Sequence, residues 1–291
     1  MDFVLPTRGP FSLADLATLG FGHNTVEQFD GVMRMAFCVD GGYEHHVGVA
    51  VRQDGDELHC SVQGSAGKAP VAAQVARVLS VDHDGDAFAE VGRRDPVIGK
   101  LQTLAPGMRP PLFYSPYEAA VWSIISARRH RRQAASLRSR LAQAHGTTLE
   151  AAGQQVAALP GPRRLLEIEQ FPGIADDRIP RLHAIAEAAL DGKLEVVHLT
   201  AMEPADAMAE LQRLPGMGPF YSSLVVIRAC GLADVLPTAE RNLLDLVPKL
   251  YGVPTPLTQE AFTELAERWR PFRTWASVLI RSVGPRLLGD G

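Results

Sequence analysis

Cysteine, lysine and long apolar runs are all scarce in this chain of 291 residues. The three cysteines, Cys38, Cys60 and Cys230, lie far apart and form no closely spaced pair. This spacing indicates neither a disulfide framework nor a zinc site. No apolar run approaches the length of a membrane span, so we expect a globular protein with no membrane partner. The first residues show no basic segment followed by an apolar one, so we expect no secretory signal and a cytoplasmic location.

Positive charge is also scarce, since the formal net charge is -4 at pH 7. The net charge therefore argues against a broadly basic surface, although a local basic face remains compatible with the composition. The densest basic run is Arg128-Arg129-His130-Arg131-Arg132. A run of this kind is typical either of a solvated helix face or of a surface that contacts phosphates.

The first third of the chain has the pattern of an antiparallel sheet. Short apolar runs at 32–39, 47–51 and 58–62 are separated by Asp and Gly turns, which predicts a meander of strands. Residues 71–79 then show helical spacing of apolar side chains. Together they predict an α+β N-terminal lobe over 1–105.

From Pro116 onward the pattern is helical almost throughout. Proline and glycine divide this part into helices of ordinary length, for example at Pro160-Gly161-Pro162, Pro172-Gly173 and Pro215-Gly216. We therefore predict an all-helical core over 106–291.

The segment Leu214-Pro215-Gly216-Met217-Gly218 lies between two predicted helices and indicates a tight hairpin. Gly216 and Gly218 can take positive φ and have no Cβ, so backbone N–H groups could approach a phosphate at the start of the next helix. The alternative is a simple helix stop followed by a turn, which is the usual meaning of an isolated Gly-x-Gly. The flanking Leu214 and Pro219 make this instance more specific.

These residues resemble the helix-hairpin-helix DNA glycosylases, and within them the DNA-3-methyladenine glycosylase II family. In that family the hairpin is followed by a Gly/Pro loop that ends in a catalytic Asp. The resemblance extends to 106–110, 118–125 and 266–273, and it covers roughly 100–285. It implies an α+β N-terminal lobe (antiparallel sheet with helices) over 1–105, followed by an all-α glycosylase core over 106–291 with its hairpin at 211–228.

The resemblance also implies an activity in DNA repair. The expected reaction is hydrolysis of the N-glycosidic bond of an alkylated base, such as 3-methyladenine, in duplex DNA, which leaves an abasic site. The expected partner is double-stranded DNA containing a damaged base, bound by a monomer that is associated with the nucleoid. Two alternatives stay open: a protein that binds lesions or duplex DNA without catalysis, and a glycosylase for another damaged base, such as a deaminated purine.

Glu240 stands twenty-two positions after Gly218, where the resemblance places the catalytic Asp. A carboxylate suits this chemistry, because it stabilises positive charge on the deoxyribose and orients or deprotonates a water. Glu is one methylene longer than Asp, and a displacement of about 1 Å can cost on the order of 100-fold in rate. The alternative for Glu240 is a helix N-terminal carboxylate. We interpret Asp234 as a residue that fixes its loop, and we expect Asp245 to face elsewhere on the next helix.

The resemblance implies further site residues. It places Arg281 where the family has a pocket tryptophan, and Trp122 and Phe220 are candidates for stacking on the base, with ordinary core packing as the alternative. Arg128 matches the position of the side chain that fills the gap left by a flipped base, and the alternative is phosphate contact by the whole arginine run. The expected DNA-binding residues are Leu214, Gly216, Met217, Gly218, Arg128 and Arg129.

None of the four lysines, Lys68, Lys100, Lys193 and Lys249, stands where a family lyase needs its amine. We therefore predict a monofunctional hydrolase that uses water. We expect no metal site and no cofactor, apart from a monovalent cation that the resemblance allows on the hairpin backbone.

Overall fold

The N-terminal part is an antiparallel sheet with flanking helices in a computed structural model that describes residues 1–19, 29–238 and 240–289. Ala239, which directly precedes Glu240 in the sequence, lies outside the described residues. The elements of this part are β1 (Asp2–Pro6), α1 (Leu13–Leu19), β2 (Met33–Cys38), β3 (His46–Asp54), β4 (Glu57–Gly64), α2 (Lys68–Val78), α3 (Gly85–Arg94) and α4 (Pro96–Leu104).

The sheet has the strand order β1-β4-β3-β2, and every neighbouring pair is antiparallel. Val47, Val49 and Val51 alternate along β3 and are fully buried. They join a core to which α2 contributes Val71 and Val75. The predicted meander β2-β3-β4 and the helix after it are confirmed. The strand β1 was not predicted, because its five residues acquire strand structure only by pairing with β4.

The remaining chain is dominated by helices, as predicted. They are α5 (Pro116–Ser126), α6 (Arg131–His145), α7 (Pro162–Leu166), α8 (Ile179–Leu190), α9 (Val196–Thr200), α10 (Pro204–Leu211), α11 (Pro219–Cys230), α12 (Arg241–Tyr251), α13 (Gln259–Ala266) and α14 (Arg273–Leu288). Short 3-10 turns occupy Asp176–Arg178 and Glu267–Trp269.

A β-hairpin that the sequence pattern did not predict also lies in this part. Its strands are β5 (Thr147–Ala151) and β6 (Gln154–Ala158). The hairpin packs so closely on β3 that a Cβ at Gly48 would lie 2.9 Å from the carbonyl oxygen of Glu150. Because the hairpin is stabilised by this tertiary contact, its short polar strands carry little local signal.

Helices α3 and α4 share a hydrophobic core with the C-terminal helices. The rings of Phe88 on α3 and Trp275 on α14 stack edge to face with centroids 5.3 Å apart. The boundary at 105/106 stays a prediction. No helix in the described parts of the chain is long and apolar enough to cross a membrane.

Candidate active site

The glycine hairpin joins α10 to α11 and forms a tight turn. Gly216 has a φ of +87°, as the glycine pattern predicted. Gly218 has a φ of −85° and is the N-cap of α11, so it does not use the positive φ that was considered for it. A Cβ at Gly218 would meet no atom within 4 Å, whereas one at Gly216 would lie 3.0 Å from Ile124 Cδ1. The backbone conformation and the neighbouring Ile124 therefore favour glycine at position 216. At position 218 the space beside the backbone is open to solvent.

Backbone donors face solvent at this turn. Gly216 and Gly218 are exposed, and neither N–H has an acceptor within the described parts of the chain. The N–H of Met217 donates to the carbonyl of Leu214 at 3.0 Å. The free donors and the start of α11 together form a surface to which an anion can bind.

The side chains of Leu214 and Met217 point into the protein. Met217 is 3% exposed, and Leu214 is half-buried against the same core. These two residues were predicted to bind DNA, and in this structure only their backbone atoms are placed to do so. Their apolar side chains anchor the hairpin to the helical core.

Glu240 lies directly before α12 and lines a cleft between α11, α12 and α14. The side chain of Glu240 is 21% exposed, and it makes no capping hydrogen bond to α12. Because Glu240 is the N-cap residue of α12, the alternative, a carboxylate favoured by the helix dipole, stays open.

Two arginines line the cleft with Glu240. Arg281 Nη1, from α14, lies 3.9 Å from Glu240 Oε2. Arg228, from α11, is 6% exposed and donates to the carbonyl of Pro111 at 2.5 Å. Burial lowers the pKa of Arg228, the positive charge of Arg281 lowers it further, and Glu240 raises it. The sequence analysis did not identify Arg228 as a site residue. A charged residue within the apolar run of α11 is the signal that could have indicated it.

A third arginine lies close to the same charges. Partial burial lowers the pKa of Arg131, at the start of α6, and the positive charge of Arg281 lowers it further. The lining of the cleft itself contains two guanidinium groups and one carboxylate.

Aromatic side chains are few at the cleft. Phe220 lines it and is 45% exposed. Trp122 does not line it, but is 7% exposed and packs near Phe113 in the core. The predicted stacking role of Trp122 has no support in this position, because its ring is enclosed by core side chains. The structure brings together Glu240, Phe220 and Arg281, and their roles stay predictions.

The two neighbouring acids are placed elsewhere. Asp234 Oδ1 accepts hydrogen bonds from the backbone N–H and Nε of Arg273, at 3.1 and 3.0 Å. Asp234 Oδ2 accepts from Arg270 Nη1 at 2.7 Å. Asp245 is exposed on α12 and does not line the cleft. Asp234 thus fixes its loop, as its sequence position predicted.

The loop between α5 and α6 presents Arg128 at the surface. Arg128 is exposed and has a φ of +57°, which is uncommon for a residue with a side chain. Arg129 instead folds back, with Nη1 donating to the carbonyl of Ile125 at 2.8 Å and Nη2 to that of Gly173 at 2.5 Å. Arg129 therefore stabilises the loop by hydrogen bonds to backbone carbonyls. This geometry does not support its predicted contact with DNA.

In the described residues, no group of three or more His, Cys, Asp or Glu side chains could hold a metal ion. None of the four lysines lines the cleft.

Sequence relatives of this chain are DNA repair enzymes. The chain is 26% identical over 286 residues to the "Probable bifunctional transcriptional activator/DNA repair enzyme AlkA" of Mycobacterium tuberculosis, covering 94% of this chain and 55% of the relative. The chain thus spans about half the length of that relative. It is 27% identical over 223 residues to "DNA-3-methyladenine glycosylase 2" of Escherichia coli, covering 75% of this chain and 74% of the relative.

The fold is also found in a solved structure. The 3-methyladenine DNA-glycosylase of Archaeoglobus fulgidus superposes with a TM-score of 0.77 at 18% identity, covering 99% of this chain and 100% of that one. No protein-family model matches the chain.

Proposed function

We propose that the chain belongs to the helix-hairpin-helix DNA glycosylases, with similarity to the DNA-3-methyladenine glycosylase II family, and that it hydrolyses the N-glycosidic bond of alkylated bases in duplex DNA. The observation that carries the proposal is the partly exposed carboxylate of Glu240 in a cleft that also contains Phe220 from the hairpin helix. A base flipped out of the duplex would enter this cleft while the hairpin holds the backbone.

In the proposed binding step, the hairpin takes up a phosphate. The exposed N–H groups of Gly216 and Gly218 donate to it without reading sequence, which suits an enzyme that must scan any duplex. Arg128 fills the gap left by the extruded base. The monovalent cation would lie on the hairpin carbonyls and strengthen the same phosphate contact.

In the chemical step, Glu240 acts on the sugar. Breaking the C1′–N bond develops positive charge on the deoxyribose, which the carboxylate stabilises. Water forms the new C1′–O bond and gives its proton to Glu240, and the cationic alkylated base takes the electron pair of the broken C1′–N bond and leaves as a neutral molecule, without a further proton. The product is an abasic site and a free base.

We propose a monofunctional enzyme, because no lysine lines the cleft in the described residues and none can attack the sugar as an amine there. It would act as a monomer on DNA of the cytoplasmic nucleoid.

The test is single-turnover release of methylated purines from alkylated duplex DNA by the native protein and by Glu240→Gln. The substitution removes the charge and keeps the shape, so we expect release to fall on the order of 100-fold or more while duplex affinity is kept. Glu264→Gln is the matched control, since Glu264 is an exposed residue of α13 that does not line the cleft.

Three outcomes contradict parts of the proposal. Tight binding of lesion DNA with no base release would indicate a binding protein instead of an enzyme. An equal loss of base release in Glu240→Gln and Glu264→Gln would mean that Glu240 takes no part in the reaction. Strand cleavage at the abasic site without alkali would contradict the monofunctional assignment.

A further inference from the structure

Three arginines lie close together between the hairpin and the loop that presents Arg128. Arg129 and Arg178 donate hydrogen bonds to backbone carbonyls at that loop and at the end of α5. Arg181, on α8, packs against the hairpin, since a Cβ at Gly216 would lie 3.1 Å from its Cδ and 3.5 Å from its Nη1. Partial burial lowers the pKa of Arg178, and the positive charges of Arg129 and Arg181 lower it further. Positive charge is thus concentrated between the two surfaces that we expect to contact DNA.

Arg181 differs from the other two arginines in the partner of its guanidinium. Its Nη2 donates to Asp177 Oδ2 at 2.7 Å, and Asp177 belongs to the 3-10 turn directly before α8. The side chains of Arg181 and Asp177 are 39% and 64% exposed. An ion pair with this exposure contributes little to stability, because water solvates both charges when they separate. Arg181 can therefore leave Asp177 at low cost, whereas Arg129 and Arg178 are held by the backbone.

The two charges of this pair act on a bound duplex in opposite directions. The guanidinium of Arg181 lies beside the turn where the N–H groups of Gly216 and Gly218 are exposed, so a phosphate on that turn comes within its reach. A guanidinium binds a phosphate through two parallel N–H···O hydrogen bonds. The carboxylate of Asp177 lies at the same place and repels the phosphate.

Building on the proposed binding of duplex DNA, we propose that Arg181 is a further phosphate contact beside the hairpin and that Asp177 competes with the DNA for it. In the free protein Arg181 is paired with Asp177. On the duplex Arg181 exchanges this carboxylate for a phosphate, and Asp177 is left in solvent. The exchange weakens binding to undamaged DNA, which helps a protein that scans a duplex to leave sites without a lesion.

This exchange has a consequence for the salt dependence of binding. A cationic side chain that neutralises a phosphate releases counterions from the DNA and makes the slope of log affinity against log salt steeper by about one. When Arg181 leaves Asp177, the freed carboxylate attracts a cation from solution. Release and uptake offset each other, so Arg181 adds little to the salt slope of the native protein. Without the carboxylate at position 177 the offset is lost.

The experiment is a salt titration of binding to undamaged duplex by the native protein, Asp177→Asn, Arg181→Met and the double variant. Asp177→Asn should bind on the order of 3-fold to 10-fold more tightly at low salt, with a slope steeper by about one. Arg181→Met keeps an apolar stem against Gly216. It should weaken binding in both backgrounds, but it should reduce the slope by about one only when Asn stands at position 177.

Glu90→Gln is the matched control. Glu90 forms a similarly exposed ion pair with Arg93 on α3, so the substitution breaks a surface pair and removes one negative charge. We expect this variant to keep the salt slope of the native protein. A slope that changes equally in Glu90→Gln and Asp177→Asn would mean that net charge alone is measured, which would overturn the inference.

Two further results would overturn it. Equal affinities of the native protein and Arg181→Met would mean that Arg181 makes no phosphate contact and that the pair only stabilises the start of α8. Weaker binding by Asp177→Asn would mean that Asp177 does not compete with the duplex. Because the duplex is undamaged, none of these results depends on base release. Duplex binding without release of methylated bases would instead contradict the glycosylase proposal and leave this inference intact.

Discussion

Arg178 Nη2 donates a hydrogen bond to the carbonyl oxygen of Ala127 at 2.9 Å, while its Nη1 donates to the carbonyl of Ile124 at 2.7 Å. One side chain thus joins the 3-10 turn before α8 to the end of α5. Because this contact holds the backbone on the N-terminal side of Arg128, the exposed guanidinium of Arg128 is presented on a fixed loop.

The position of Arg128 leads to a prediction for Arg128→Ala. If its side chain replaces the flipped base, base release should fall on the order of 10-fold, while the dependence of duplex affinity on salt should stay the same. Arg132→Ala is the matched control, since Arg132 is exposed in the same basic run. Single-turnover rates and a salt titration of duplex binding are the measurements.

The competing role for Arg128 gives a different result. A residue that only contacts a phosphate would reduce the salt slope by about one when it is removed and would weaken binding to damaged and undamaged duplexes alike. That pattern for Arg128→Ala would contradict the role in filling the gap.

The two hairpin glycines give a matched pair of substitutions. Gly216→Ala should lower the free energy of unfolding by about 1 to 3 kcal/mol, because a Cβ at φ +87° is strained and would lie 3.0 Å from Ile124 Cδ1. Gly218→Ala should change stability by less than about 1 kcal/mol, since no atom lies within 4 Å of the added Cβ. The measurement is urea unfolding of both variants.

The same pair tests the proposed phosphate contact. A Cβ at Gly218 would project into the space where a phosphate approaches, so duplex affinity should fall on the order of 10-fold although the protein stays folded. Unchanged affinity of Gly218→Ala would mean that the phosphate does not approach at this residue. Binding is measured with undamaged duplex, so that catalysis plays no part.

Asp40 leads to a prediction about pH. It accepts a hydrogen bond from Arg77, which also donates to the carbonyls of Ala229 and Tyr114. Burial raises the pKa of Asp40 to about 6, from 3.8, although the positive charge of Arg77 lowers it. The folded protein therefore keeps this proton to a higher pH than the unfolded chain does.

The sign of the effect follows from that proton. As the pH rises from about 4 to about 6, Asp40 loses its proton in the unfolded state before it does so in the folded state. The free energy of unfolding of the native protein therefore falls over this range. Asp40→Asn does not titrate, so its free energy of unfolding should increase relative to the native protein by up to about 2 kcal/mol between about pH 4 and pH 7. Urea unfolding at both pH values measures the difference. A difference that is constant with pH, or that reverses, would contradict the raised pKa.

The sequence by itself determined the elements whose signals are local. Alternating apolar residues predicted β2, β3 and β4, and the spacing of glycine and proline predicted the hairpin before α11, because both depend on the conformations that a few adjacent residues can adopt. The resemblance of the hairpin to a known family supplied the fold class for the same reason, since the hairpin motif is short and contiguous.

Only the tertiary structure decided which side chains meet. Glu240, Arg228 and Arg281 come from separate helices, and their approach depends on how α11, α12 and α14 pack. The same packing places Trp122 in the core and leaves Phe220 in the cleft. Periodicity shows that a residue lies on a buried helix face, but the partner across that face is set by contacts between segments far apart in the chain.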